Sequence, residues 1–512
     1  MRKPLATAAA ALVAAPAAAP AAAQVPVSQL AGASPPDARS PLAFVIQDDP
    51  RLLGHPASLD DDLAEARSLG FTHVRVTAHW NQLTQDPDAT TRPDFNAADP
   101  AAYPRDAWSD LDHLVRAADA HGLEVMIDIG FFAPRWATHG SPRGDPRPRN
   151  LIDPIAFRDF ALAVVRRYSG EFRPSAGSPV LPRVSLFELY NEPNLPVFWT
   201  PQRAGRGRGV RLVAPAAYRR LVATTYPAIK SVRADATVLV GDLAAGPPWY
   251  PRARRAGVPA LRFLRELACV DLALRPLHTA QCRGFHPLLG DGLAVHPYAL
   301  SGSPARRPTG NRVDTLTMGN IDVLAGLLQE LAARGRIAPA LQDIYVTEFG
   351  YLTRPVEPDA APLRTPFPTV SPQYQSAWEL VAHQLAWNQP QVRMFAHFLI
   401  RDTICTSGGD PFCIDWSSGY RSARGTPKPL FDALHAGLLT SRLSDGGTAV
   451  WARLGSVHAR NSAVLEYRQA GGAWQAVEPG DVRSFAGDGP DGIVSLTLWP
   501  LGADEFRLDT GD

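Results

Sequence analysis

Two glutamates close two apolar, β-prone runs. The first run, Val184-Ser185-Leu186-Phe187-Glu188-Leu189-Tyr190, follows a turn-like Ser-Pro-Val-Leu-Pro stretch and passes into Asn191-Glu192-Pro193-Asn194. Pro193 has no amide hydrogen to give to a sheet ladder, so pairing stops there and Asn191 and Glu192 stand at the carboxyl end of the strand. The second run, Ile344-Tyr345-Val346-Thr347-Glu348-Phe349-Gly350, delivers another carboxylate just before a glycine turn. Cleaving a glycosidic bond needs a proton for the leaving oxygen and stabilisation of an oxocarbenium-like centre. Two carboxyls in unlike surroundings meet both needs. The pattern therefore points to sugar chemistry.

Such groups work only if the chain brings them together, and the elements around them suggest how. At 512 residues there is room for one large barrel and a small extra domain. Strands are expected at Leu42–Gln47, Thr72–Ala78, Glu124–Gly130, the Glu192 stretch, Thr237–Asp242, Gly292–Val295, the Glu348 stretch and Val392–Ile400. Helices are expected between them: from a Ser58 cap to Gly70, Ser109–Ala120, Asp153 to Gly170, Pro215–Val232, Pro259–Leu267, Ile321–Arg334, Pro372–Trp387, and one opening at Lys428. Alternation of strands and helices indicates a parallel sheet, and eight units can close it into an α/β (β/α)8 TIM barrel spanning 42–438. From 439 to 512 the texture changes to short alternating runs between Gly, Asp and Ser turns, such as Gly492–Leu498. That reads as a C-terminal all-β sandwich domain, more an inert lid packed on the barrel than a carbohydrate-binding module. Its tryptophans are Trp451, Trp474 and Trp499.

With both strands in view, Phe187 to Leu195 followed by Phe198-Trp199 resembles the acid/base strand of clan A glycoside hydrolases, nearest to family 39. Thr347-Glu348-Phe349-Gly350 is similar to the clan's nucleophile strand in a form closer to family 5. The resemblance implies a retaining glycosidase, with Glu192 as general acid/base after strand 4 and Glu348 as nucleophile after strand 7. Glu192 should then be the less ionised at rest, and Glu348 should be held charged by neighbouring cations and donors. Arg75 on strand 2 resembles the arginine that holds the nucleophile. Asn191 resembles the asparagine that meets the sugar 2-hydroxyl, and His296-Pro297-Tyr298 matches the His-x-Tyr whose phenol contacts the nucleophile. Trp80, Trp136 and Trp199 follow strand ends and are assigned to sugar stacking. Many clan members place a tryptophan at the end of strand 8, where this chain has His397-Phe398; His397 is assigned to substrate contact. Glu188, four residues before Glu192, is expected on the same strand face in an interior polar role.

The alternatives on the same residues are a sugar-binding barrel without turnover and a transglycosidase. Other chemistries find no footing. G-x-S-x-G and H-E-x-x-H are absent, and none of the three lysines (Lys3, Lys230, Lys428) follows a glycine, which excludes a P-loop. No metal or organic cofactor is implied, and a formal net charge of +1 gives no ground for nucleic-acid binding. The basic loop Gly205-Arg206-Gly207-Arg208-Gly209 is read as solvated.

Residues 1–23 have a basic start, an Ala-rich apolar stretch and Ala21-Ala22-Ala23, the form of a secretory signal, with 24–41 as a loose linker. A secreted protein with no membrane attachment after signal cleavage is expected, with carbohydrate as its partner. Four cysteines fit export: Cys269 with Cys282 and Cys405 with Cys413 are the simplest of three possible pairings.

Overall fold

The structure, a computed structural model, describes residues 25–30, 41–205, 210–246, 257–357, 362–405, 414–487 and 492–511. Eight parallel strands close a barrel: β1 (Ala43–Gln47), β2 (His73–Ala78), β3 (Glu124–Ile129), β4 (Leu186–Leu189), β5 (Thr237–Ala244), β6 (Gly292–His296), β7 (Ile344–Val346) and β8 (Val392–Phe398). Each pairs with its sequence neighbours, and β1 closes the ring by pairing with β8 in the register Ala43 to Met394 through Gln47 to Phe398. Strands covered on both faces need apolar side chains on both, which is why these segments are almost continuously hydrophobic.

The main helices around the barrel are α1 (Leu59–Ser68), α2 (Ser109–Ala120), α3 (Pro154–Arg167), α4 (Ala214–Val232), α5 (Ala260–Leu267), α6 (Ile321–Ala333), α7 (Pro372–Asn388) and α8 (Pro429–His435). Local chemistry sets several starts. Asp153 accepts from the Ile155 amide and Ser371 from the Tyr374 amide, each with proline at the first helical position. The expected Ser58 cap is not made. Its hydroxyl turns to the Asp62 carboxylate (3.0 Å), because a 3-10 turn over Pro56–Ser58 already leads into α1.

Two antiparallel sheets follow. One has the order β9-β10-β14-β13, built from β9 (Ala436–Arg442), β10 (Thr448–Leu454), β13 (Val482–Gly487) and β14 (Ile493–Leu498). The other is β12-β11-β15, from β11 (Val464–Arg468), β12 (Gln475–Ala476) and β15 (Glu505–Asp509). Val450, Leu454, Leu465, Val494 and Leu496 fill the space between them. β9 starts directly after α8, so no spacer separates barrel and β domain.

The β domain docks beneath the barrel. Arg453 is buried; it donates to the Leu69 carbonyl (2.9 Å) and to that of Leu434, and lies over the Phe44 ring (4.5 Å). Leu69 caps the end of α1, four residues ahead of β2, and Phe44 lies at the amino-terminal end of β1. The domain is thus packed on the barrel but does not cover the carboxyl ends of the strands, and "lid" describes only its packing. Trp451 is buried within the barrel's own apolar cluster, and Trp474 is sandwiched between Arg468 (4.6 Å) and Arg507 (4.5 Å). Residues 25–30 correct the loose-linker expectation. Val27 and Leu30 are buried in the sandwich core, and the Val27 amide donates to the Ala463 carbonyl at 2.8 Å.

Cys269 and Cys282 form a disulfide. Cys413, the expected partner of Cys405, lies outside the described residues, as do the signal stretch 1–23 and Arg206 to Gly209. Among the described residues no helix is long and apolar enough to cross a membrane.

Candidate active site

The carboxyl ends of the strands surround a cavity of about 580 Å³. Asn191, Glu192, Tyr298 and Glu348 all line it. Neither glutamate lies within its strand, since β4 ends at Leu189 and β7 at Val346. The turn that presents Glu192 is strained: Tyr190 and Glu192 hold φ of 70° and 41°, sparsely populated values for residues with side chains. Buried contacts hold that turn. The Glu192 amide donates to the Asp242 carbonyl (3.0 Å), the Tyr190 hydroxyl donates to the Phe198 carbonyl (2.8 Å), and Asn194 bonds the Ala244 backbone in both directions.

Glu192 and Glu348 meet around His296. One oxygen of each carboxylate and one ring nitrogen of His296 all lie within 4.8 Å of one another. His296 Nδ1 is 2.8 Å from Glu192 Oε1 and 3.6 Å from Glu348 Oε2. Glu348 accepts from Arg75 Nη1 (2.9 Å) on one oxygen and from the Tyr298 hydroxyl (3.1 Å) on the other. Arg75, His296 and Tyr298 are thus gathered at the two glutamates, and Asn191 lines the same cavity.

The surroundings differ in charge. Burial raises the Glu192 pKa; the hydrogen bond and charge of His296 pull it back, the negative charges of Glu348 and Asp242 push it up, and the net shift is upward. Burial opposes the charge of Arg75, but Glu188, Asp242, Glu348 and Asp128 together hold its pKa well above the ordinary value. Glu188 accepts from Arg75 Nε, in the interior polar role expected of it, and burial raises its pKa to about 7. Arg75 also donates to Gln47 (2.6 Å) and to Asp242 (3.0 Å). Arg75→Met should therefore cost about 3–5 kcal/mol of stability, because it strands buried carboxylates without their cation. Urea unfolding of the variant checks this.

The aromatic assignments fail in a common way. Trp80 is buried, stacked on Phe160 with centroids 5.4 Å apart, and Trp199 is buried edge-on against Tyr190 and Tyr218. Trp136 stands edge-on to Trp80 with Arg92 over its ring, and none of the three lines the cavity. Trp80 and Trp199 pack between the strand ends and the helices, and Trp136 packs on Trp80 and Phe95. His397 is also buried, with Nδ1 2.9 Å from Glu379 on α7. Side chains alternate along a strand, so with Phe398 facing the cavity its neighbour must face the helices.

The cavity wall is made instead by Phe131, Phe198, Phe367, Phe398 and Trp416 beside Tyr298. Trp416 comes from the segment after β8 and stands edge-on to both Phe398 (5.6 Å) and Tyr298 (6.3 Å). The polar wall holds Gln47, Asp49, His79 and Gln82, with His79 Nε2 3.5 Å from Asp49 Oδ2. Of these, Asp49 and His79 carry one usable signal, since each follows a barrel strand within two residues. Asp242 was placed on strand 5 but given no role.

An eight-stranded barrel with two glutamates opposed across its mouth is built like the glycoside hydrolases of clan A. Residues 47–256 match the family model "Cellulase (glycosyl hydrolase family 5)". That stretch holds Arg75, Asn191 and Glu192, and a glycosyl hydrolase domain of this kind supports a glycosidase. Among solved structures it is similar to a family 39 glycoside hydrolase from the gut symbiont Bacteroides cellulosilyticus WH2, with 16% identity over 90% of this chain and 79% of that one and a TM-score of 0.48. The GH39 enzyme from Xanthomonas axonopodis pv. citri gives 15% identity, 94% of each chain and 0.49. GH5_18 from Streptomyces cattleya in complex with GlcNAc gives 18%, 78% and 79%, and 0.45. No curated protein matches the chain.

Proposed function

We propose that this glycosidase is secreted, that it acts on a β-linked glycan or its configurational equivalent, and that it retains anomeric configuration by double displacement. Glu348 attacks the anomeric carbon while Glu192 gives its proton to the leaving oxygen. Glu192, now a carboxylate, takes a proton from water as that water displaces Glu348. The reading rests on the closeness of the two carboxylates, each with an oxygen inside the same 4.8 Å cluster. Retention works with carboxyl groups roughly 5–5.5 Å apart, whereas inversion needs roughly 6.5–9.5 Å to seat a water between them.

The hydrogen-bonding environments support the same division. Glu348 receives two donors, Arg75 and Tyr298, suited to a nucleophile held as a carboxylate. Burial favours the protonated form of Glu192, suited to a group that must first give a proton. Asn191 is buried at the cavity with a side-chain oxygen that meets no donor among the described residues, and it is the group assigned to a sugar hydroxyl. Export is supported by the signal-like residues 1–23 and fits the Cys269–Cys282 disulfide.

The test is stereochemical. Proton NMR of the first sugar released from an aryl glycoside should show the anomer of the substrate before mutarotation. Release of the opposite anomer would remove the double-displacement reading.

A further inference from the structure

One buried carboxylate takes no part in this chemistry yet touches both halves of it. Asp242 Oδ1 lies 2.8 Å from His296 Nε2 and accepts from the Thr347 hydroxyl at 2.9 Å; its Oδ2 accepts from Arg75 Nη2 at 3.0 Å. Its carbonyl receives the Glu192 amide. The backbone is built to put it there. The pairing of β5 with β6 slips between Val240 and Leu243, and Asp242 sits in that slip with φ 47°. Gly241 precedes it at φ 105°, where a Cβ would come within 2.8 Å of Leu293 Cδ1 and 3.0 Å of the Ala294 carbonyl oxygen. The Gly241 amide donates to the buried Tyr218 hydroxyl at 2.8 Å. Such bulges re-aim side chains beside active sites.

We propose that Asp242 is a positioning residue for both carboxylates, acting on Glu192 through His296 and on Glu348 through Arg75 and Thr347. The inference rests on the roles proposed above for Glu192 and Glu348. A counter-ion for Arg75 would need neither the bulge nor the histidine, since Glu188 already takes Arg75 Nε. The imidazole of His296 faces Glu192 from the loop after β4, Asp242 from β5 and Glu348 from the loop after β7. Tyr298 lies on its own loop, with Arg75, Glu188 and Asp128 behind Asp242. A neutral ring has one N–H and could donate to only one of the two carboxyl groups at 2.8 Å. The negative charge of Asp242 keeps the second proton on the ring, and that proton holds Glu192 in line. The His296 pKa stands well above its ordinary value: burial opposes this, but Glu348 and Asp242 outweigh it.

The experiment is nitrogen-15 NMR of histidine-labelled protein, with the His296 signals assigned by their loss in His296→Gln, alongside kcat/KM against pH. In the intact protein both His296 nitrogens should be protonated near pH ~7. Asp242→Asn keeps the shape and an acceptor for Nε2–H but removes the charge, so the ring should lose its second proton at least about tenfold more easily. Glu192 then loses the contacting imidazolium, which depresses it more than the remoter Asp242 raises it, and the alkaline limb of the profile should move to higher pH. A residue that only balances Arg75 would lower Tm and leave both readings alone. A folded variant with either reading unchanged overturns the proposal, and a singly protonated His296 in the intact protein at that pH overturns it without any variant. Neither result touches the catalytic roles, which are tested separately by the anomer released and by the kinetics of variants at Glu192 and Glu348.

Discussion

Under the proposed double displacement, Glu348→Ala is expected to reduce kcat by roughly 10⁴-fold or more, because removing a nucleophile deletes the covalent path and leaves only binding and acid assistance. The size of the loss follows from the site. Arg75 Nη1 and the Tyr298 hydroxyl converge on the Glu348 carboxylate at the cavity wall, so the two donors serve the side chain that is removed. Truncation to alanine opens a space beside both donors that suits a small anion. Azide supplied in solution should occupy it and restore turnover. Its nitrogen bonds to the anomeric carbon as the glycosidic C–O bond breaks, and Glu192 still protonates the leaving oxygen. The glycosyl azide formed should have the configuration opposite to the substrate, since one displacement replaces two. Gas chromatography or NMR of that product checks it, and unchanged activity without azide would remove Glu348 from the nucleophile's role.

Glu192→Ala should behave differently in three measurable ways. For substrates with alkyl or sugar leaving groups, kcat/KM should fall by about 10²–10⁴-fold, the usual share of a general acid. For dinitrophenyl glycosides, whose leaving group departs without a proton, the first step should be nearly unaffected. Hydrolysis of the covalent intermediate then lacks its base, so the intermediate should accumulate, lowering KM and giving a burst of phenolate. Azide, needing no base, should relieve that block and give a product of retained configuration. The pH profile supplies the third sign. Burial first, with Glu348 and Asp242 adding to it against His296, raises the Glu192 pKa, so an enzyme using this carboxyl as its general acid should lose activity as pH rises through that value. The alkaline limb should vanish in Glu192→Ala.

Individual residues show which parts of this site could be read along the chain. Asn191, Glu192, His296, Tyr298 and Glu348 stand on or just after strand ends, and a barrel brings all such positions to one rim, while Arg75 reaches Glu348 from within β2. His397 is also near a strand end, but one residue's difference in register turns it outward to Glu379 and gives the cavity Phe398. The tryptophans failed because a loop residue's direction depends on the path of its loop. Trp80 and Trp199 fall under Phe160 and Tyr218, while Trp416, deep in the segment after β8, folds back over the cavity. Asp242 was hidden because a bulge shifts the alternation by which a strand's inward residues are counted.

The amino-acid sequence by itself determined the barrel, its eight units and the two opposed glutamates, because strand alternation, helix stops and the proline after Glu192 are local properties. Only the tertiary structure decided which aromatic rings face the sugar, how Asp242 joins the two carboxylates through His296 and Arg75, and where the β domain docks. Those outcomes depend on loop paths and on one register slip, and such features are fixed by packing between segments distant in the chain.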